Sequence, residues 1–199
     1  MIFSRRRFIG AVAAGSAGLV APRAFAAVRS GDRPALLPRA MAALDTHAFH
    51  IRNRDLMGLV DFTEPSALPR FHVVDIGNGR VLATHLVAHG RGSDPGNTGW
   101  LDRFSNRPGS NASCRGSFLT AGTYYGKHGR SGRLNGLDPE NSNAASRAIV
   151  IHAADYVSLG MALLQGRIGR SLGCFAVPDR NVAEVLQQLG EGRLLFAWK

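Results

Sequence analysis

Cysteine is scarce in this 199-residue chain, which has only Cys114 and Cys174. That scarcity excludes a small scaffold framed by several disulfides, although one bond between the pair stays open from the count. Metal-type spacing is missing too. There is no Cys-x-x-Cys and no His-Glu-x-x-His, so no metal and no other cofactor is expected. Nor is there a Lys/Arg block. The formal net charge of +10 is spread along the chain, which argues against nucleic acid and suits an acidic partner better. Internal repeats and low-complexity tracts are absent after the first 26 residues.

What is present begins with a targeting pattern. Ser4-Arg5-Arg6-Arg7-Phe8-Ile9-Gly10 reads as a twin-arginine export signal. The uncharged run Ile9 to Ala21 is short of the ~20 residues a spanning helix needs, and Ala24-Phe25-Ala26 resembles a cleavage site. Residues 1–26 are therefore expected to be a signal peptide, 27–38 an N-terminal arm and 39–199 one domain with a core of its own. The expected location is periplasmic, with membrane contact only during export. Without residues 1–26, which hold four Arg and no acid, the net charge falls to +6.

Periodicity predicts a mainly β domain with a few short helices, closer to a sandwich than to alternating βαβ units. Helical spacing covers Ala40 to Ile51, and Asp155 and Asp179 are candidate caps for two later helices, the second stopped by Gly190. Strands are expected at Leu56 to Phe62, Ser117 to Thr123, Arg147 to His152 and Arg193 to Trp198. Phe71 to Ile76 and Arg80 to Val87 flank Gly77-Asn78-Gly79 and read as a hairpin. His89 to Cys114 is a long Gly/Asn/Ser/Pro-rich segment, a length that in compact domains usually carries function.

The chemistry concentrates in Gly169-Arg170-Ser171-Leu172-Gly173-Cys174. A thiol is only a few per cent ionised at neutral pH, so a nucleophilic cysteine needs a base and oxyanion donors. His152 at a strand end is the candidate base. Gly173 permits a backbone that aims amides inward, so the Gly173 and Cys174 amides are candidate donors. Ser171 can fix the turn, and Arg170 offers a fork for a carboxylate. A buried structural Cys and a satisfied strand-end His remain open alternatives.

Several ordered segments resemble a known family: Asp61 to Ser66, His89 to Ser93, Phe104 to Asn106, Tyr125 to Gly129, Leu134 to Leu137, Arg147 to His152 and GRSLGC. Together they are similar to the L,D-transpeptidases (YkuD-like) that cross-link peptidoglycan, closest to their second, divergent branch. The resemblance implies an L,D-transpeptidase-type β-sandwich and a thioester formed on Cys174, with His152 as base, oriented by a backbone carbonyl. It implies acidic stem peptides as partner, for which Arg130, Arg133, Arg147 and Arg170 are suited, with His89, Ser93 and Tyr125 expected to line the site. Phe175 departs from the Pro usual after the cysteine in that branch, and the Arg of the main branch is missing. Both departures favour an unusual subsite and a 1–3 product (L-alanine to diaminopimelate) over the 3–3 link. Hydrolysis by the same site, as a carboxypeptidase or endopeptidase, and a non-catalytic cell-wall binding protein are the alternatives.

Overall fold

A computed structural model describes residues 33–199. The expected signal, residues 1–26, and the first part of the expected arm lie outside these residues. Eight strands form a single mixed sheet in the order β3-β2-β1-β8-β4-β5-β6-β7. They are β1 (Leu56–Asp61), β2 (Phe71–Asp75), β3 (Arg80–His85), β4 (Gly116–Gly126), β5 (Gly129–Gly136), β6 (Val150–Ala153), β7 (Phe175–Val177) and β8 (Leu194–Trp198). The β1–β8 and β6–β7 pairs are parallel and the others antiparallel. The mainly β expectation with short helices holds.

The sheet curls strongly. Five strand spacings of about 4.8 Å separate β1 from β7, roughly 24 Å if the sheet were flat. Yet Phe62, just after β1, stacks on Phe175 of β7 with ring centroids 6.3 Å apart. One core therefore collects Val60, Phe71, Phe118, Ile151, Phe175 and Leu195 from both ends of the sheet. The edges also meet: Ala88, beyond β3, bridges Ala176 of β7, with its amide 2.9 Å from the Ala176 carbonyl. A second core lies on the other face, where α1 (Leu37–Thr46) buries Leu37, Ala40 and Leu44 against Met57, Leu59 and Phe196.

Helix boundaries differ from the sequence expectation for identifiable reasons. α1 starts at Leu37, because Pro38 in the first turn needs no amide partner, and it ends at Thr46 rather than Ile51. α2 (Leu159–Gln165) is capped by Ser158, whose extended backbone lets Oγ accept the Met161 amide; Asp155 lies outside it. α3 (Asp179–Leu189) takes Asp179 into its first turn, where the carboxylate faces the helix dipole, and is closed at Gly190. β5 went unread because Gly-Arg-Ser-Gly-Arg-Leu-Asn-Gly has no apolar alternation. Gly132 there serves packing, since a Cβ would stand 2.6 Å from Leu186 of α3.

Candidate active site

β6 carries His152, and its parallel register with β7 sets His152 beside Ala176 and Ile151 beside Phe175. Cys174 stands at the entrance to β7 and is partly exposed, whereas His152 is only 3 % exposed. Both line one cavity of about 390 Å³, together with Ser171, Leu172, Arg147 and Arg170. The resemblance-based expectation of a backbone carbonyl behind the imidazole has a direct counterpart. His152 Nδ1 lies 2.7 Å from the Ala153 carbonyl oxygen. A carbonyl only accepts, so Nδ1 carries the hydrogen and Nε2 keeps its lone pair.

Electrostatics leave both partners neutral at rest. Burial pushes the Cys174 thiol up, opposed by a backbone hydrogen bond at Val150 and by the charges of Arg147 and Lys127. Burial holds His152 below the usual histidine value, and His128 and Lys127 depress it further, against the Ala153 hydrogen bond. The resting thiol lies 3.4 Å from the Ala148 carbonyl, a contact at which it donates its proton. Ala148 itself has φ +53°, a left-handed conformation uncommon for a residue with a Cβ.

The turn before the nucleophile is tightly specified. Gly173 has φ +117°, and a Cβ there would meet the Ala112 carbonyl at 2.7 Å. Ser171 Oγ accepts the Gly173 amide at 3.1 Å and donates to the Cys174 carbonyl at 2.7 Å. The Gly173 N–H, expected to face an oxyanion, is thus engaged by Ser171. Cys174's own amide is the remaining donor of that expected pair.

The other expected site residues are placed differently. His89 and Ser93 are buried and stand behind the site. Ser93 Oγ accepts the Ser113 amide at 2.9 Å. His89 Nδ1 lies 2.8 Å from Arg70 Nη2, and its Nε2 lies 3.3 Å from Asp94 Oδ2. Because a guanidinium only donates, His89 Nδ1 accepts and Nε2–H points to Asp94. Burial and the Arg70 charge push His89 down to about 4. Through its carbonyl, which accepts the Ser171 amide at 2.9 Å, and through Arg91 N–H to the Ser171 carbonyl at 2.8 Å, this segment grips the nucleophile turn.

Arg147 lies on the cavity wall, but its guanidinium is occupied by the long segment: Nη1 donates to the Ser105 carbonyl at 2.7 Å and Nη2 to the Ala112 carbonyl. Its Nη1 is also 3.5 Å from Cys114 Sγ. Arg170 Nη1 similarly donates to the Asp94 carbonyl. Tyr125 is 83 % exposed and points away from the cavity, while its neighbour Tyr124 lines it. Strand alternation explains the one-residue difference. Arg133 sits over the Tyr124 ring at 4.2 Å, and Arg130 is exposed on β5. Phe175 is buried in the core and takes no part in the cavity wall. Lys127, His128 and Tyr156 line the cavity without having been singled out. The first two escaped because β5, and so the β4–β5 hairpin, was not legible.

Both cysteines are free thiols, with Cys114 buried. Two larger cavities, of about 510 and 430 Å³, border Arg103 and Phe104 but hold neither thiol nor imidazole. Among the described residues, no group of three His, Cys, Asp or Glu is arranged to hold a metal ion.

A family model for the L,D-transpeptidase catalytic domain matches residues 30–198. The chain belongs to that family. Solved L,D-transpeptidase structures are distantly similar to this family member. One from Mycobacterium smegmatis is 15 % identical with a TM-score of 0.45, over 73 % of this chain and 59 % of that one. Residues 123–326 of the Xylanimonas cellulosilytica enzyme give 15 % identity and a TM-score of 0.45, over 81 % and 70 %. L,D-transpeptidase 3 of Mycobacterium tuberculosis, in complex with a faropenem-derived adduct, gives 11 % and 0.48, over 73 % and 60 %. This domain thus spans about three fifths of the length of the mycobacterial structures. Among curated proteins, none matches the chain.

Proposed function

We propose that this chain is a cysteine-dependent L,D-transpeptidase acting on peptidoglycan stem peptides, in the periplasm to which its N-terminal pattern would direct it. The observation that carries the reading is the shared cavity of Cys174 and His152, with His152 Nδ1 held by the Ala153 carbonyl and Nε2 left as a base.

In this mechanism His152 Nε2 takes the Sγ proton as the donor stem enters, and the thiolate attacks the amide carbonyl. The oxyanion forms beside the Cys174 amide. Its collapse breaks the C–N bond, the leaving amine takes the proton from the imidazolium, and a thioester remains on Cys174. The acceptor amine then attacks the thioester and yields its proton to His152. The C–S bond breaks and the thiol regains its proton. A neutral imidazole and a neutral thiol are the starting forms this cycle needs. Lys127 on the cavity wall suits the carboxylates of a stem peptide, and the charge of Arg170, although its guanidinium donates to the Asp94 carbonyl, adds to the same field.

The test is incubation of purified protein with disaccharide-peptide monomers. Wild type should form dimers and show an intact-mass acyl adduct, and Cys174→Ala should do neither. Dimers made equally fast by Cys174→Ala would refute the reading. Trimmed monomers without dimers would indicate water as acceptor. The finer proposal, a 1–3 rather than a 3–3 link, is checked by fragmenting the dimers in a mass spectrometer. Since Phe175 faces the core, that choice falls to the cavity's own walls, among them Tyr124, Tyr156 and Leu172.

A further inference from the structure

The β4–β5 hairpin turns on Lys127 and His128, between the paired residues Gly126 and Gly129. His128 is exposed at this tip, yet its ring stacks on the buried His152 ring, with centroids 4.3 Å apart and planes 24° from parallel. His152 has its opposite constraint at Nδ1, where the Ala153 carbonyl holds it. An imidazole clamped by a hydrogen bond at one atom and by a second ring on its face has little freedom to rotate.

We propose that His128 is a positioning residue for His152: stacked over it, His128 keeps the imidazole in its Nδ1-donating orientation, and a positive charge at this position opposes a second proton on His152. The other titratable or charged groups around the cavity are Tyr124 on β4, Lys127 on the same turn, Arg147 before β6, Tyr156 after it, and Arg170 and Cys174 before β7. Arg147 and Arg170 are occupied by backbone carbonyls. Tyr156 is pushed up to about 12 by burial and stays neutral. Cys174 is likewise held protonated by burial. Lys127 on the same turn also depresses His152. His128 is the neighbour whose ring lies in face contact with His152.

The inference rests on His152 being the base of the proposed reaction, but its test reads the ring itself. Protein labelled with ¹⁵N-histidine is titrated by long-range ¹H–¹⁵N NMR, with His152 assigned by loss of its signals in His152→Gln. His128→Gln, which removes the charge, should raise the His152 midpoint by about half a pH unit or more, and His128→Arg, which makes the charge permanent, should lower it. The pH at which iodoacetamide alkylation of Cys174 falls off on the acid side should follow the same order. Equal midpoints in the three proteins, or shifts of one sign in both variants, would overturn the proposal, because a purely structural role would move both alike. Circular dichroism controls for folding, which an exposed hairpin tip should leave intact. A protein that shows these shifts but makes no dimers would refute the transpeptidase reading and leave this inference standing.

Discussion

Acid should loosen this domain through His89, and the structure sets the size of the effect. His89 is buried between the Arg70 guanidinium and the Asp94 carboxylate and titrates at about 4 when folded, against 6.5 for a free histidine. Its folded value is depressed, so the unfolded chain binds the proton first as pH falls. Stability is full above pH ~6.5 and is lost progressively down to about 4, below which the loss levels off. At pH 4.5 the loss from this one residue is about 2.5 kcal/mol, using 1.36 kcal/mol per pH unit. That is a large share of the ~5–15 kcal/mol typical of a domain. The assay is urea unfolding at pH 7 and 4.5, followed by the fluorescence of Trp100 and Trp198, in wild type and His89→Gln. His72, His85 and His152 are also depressed by burial and act in the same direction in both proteins, so the difference between the two isolates His89. The variant should start about 1–3 kcal/mol lower at pH 7, having disturbed the buried Arg70–His89–Asp94 hydrogen bonds, and should then lose about 2.5 kcal/mol less on acidification. Equal acid sensitivity in both would refute the assignment of a neutral, Nε2-protonated His89.

Two substitutions test the backbone around the nucleophile. Gly173→Ala should cost at least about 1–3 kcal/mol by thermal or urea unfolding and suppress Cys174 acylation, since φ +117° and the Ala112 carbonyl at 2.7 Å both reject a Cβ; near-wild-type stability and acylation would contradict the geometry. Ala148→Gly should stabilise by up to about 1 kcal/mol, relieving the left-handed φ of +53° at an exposed methyl. An unchanged or lower unfolding midpoint would mean that the strain is smaller than the entropy glycine adds to the unfolded chain.

Much of the fold was legible because local rules govern it. The Gly77-Asn78-Gly79 turn, the apolar run ending at His152 and the Gly190 stop each signal their element through a few adjacent residues. β5 was not legible, because it lacks apolar alternation and its Gly132 answers to Leu186 on α3 rather than to any neighbour in sequence. The same holds at the site. Cys174 and His152 stand out by residue type and by motif, whereas the occupants of His89, Ser93, Arg147 and Arg170 depend on where a long, Gly-rich segment comes to rest.

The amino-acid sequence by itself determined which atoms can do chemistry here: one thiol after a flexible glycine, one imidazole at the end of an apolar strand, and no metal-type spacing beside them. Only the tertiary structure decided which polar groups face the cavity and which hold it together. Arginines suited by type to a carboxylate were claimed by backbone carbonyls, and an exposed histidine was brought over a buried one. The physical reason is that hydrogen-bond donors are satisfied by whatever the curled sheet brings within ~3 Å, and that proximity is set by packing across the whole chain.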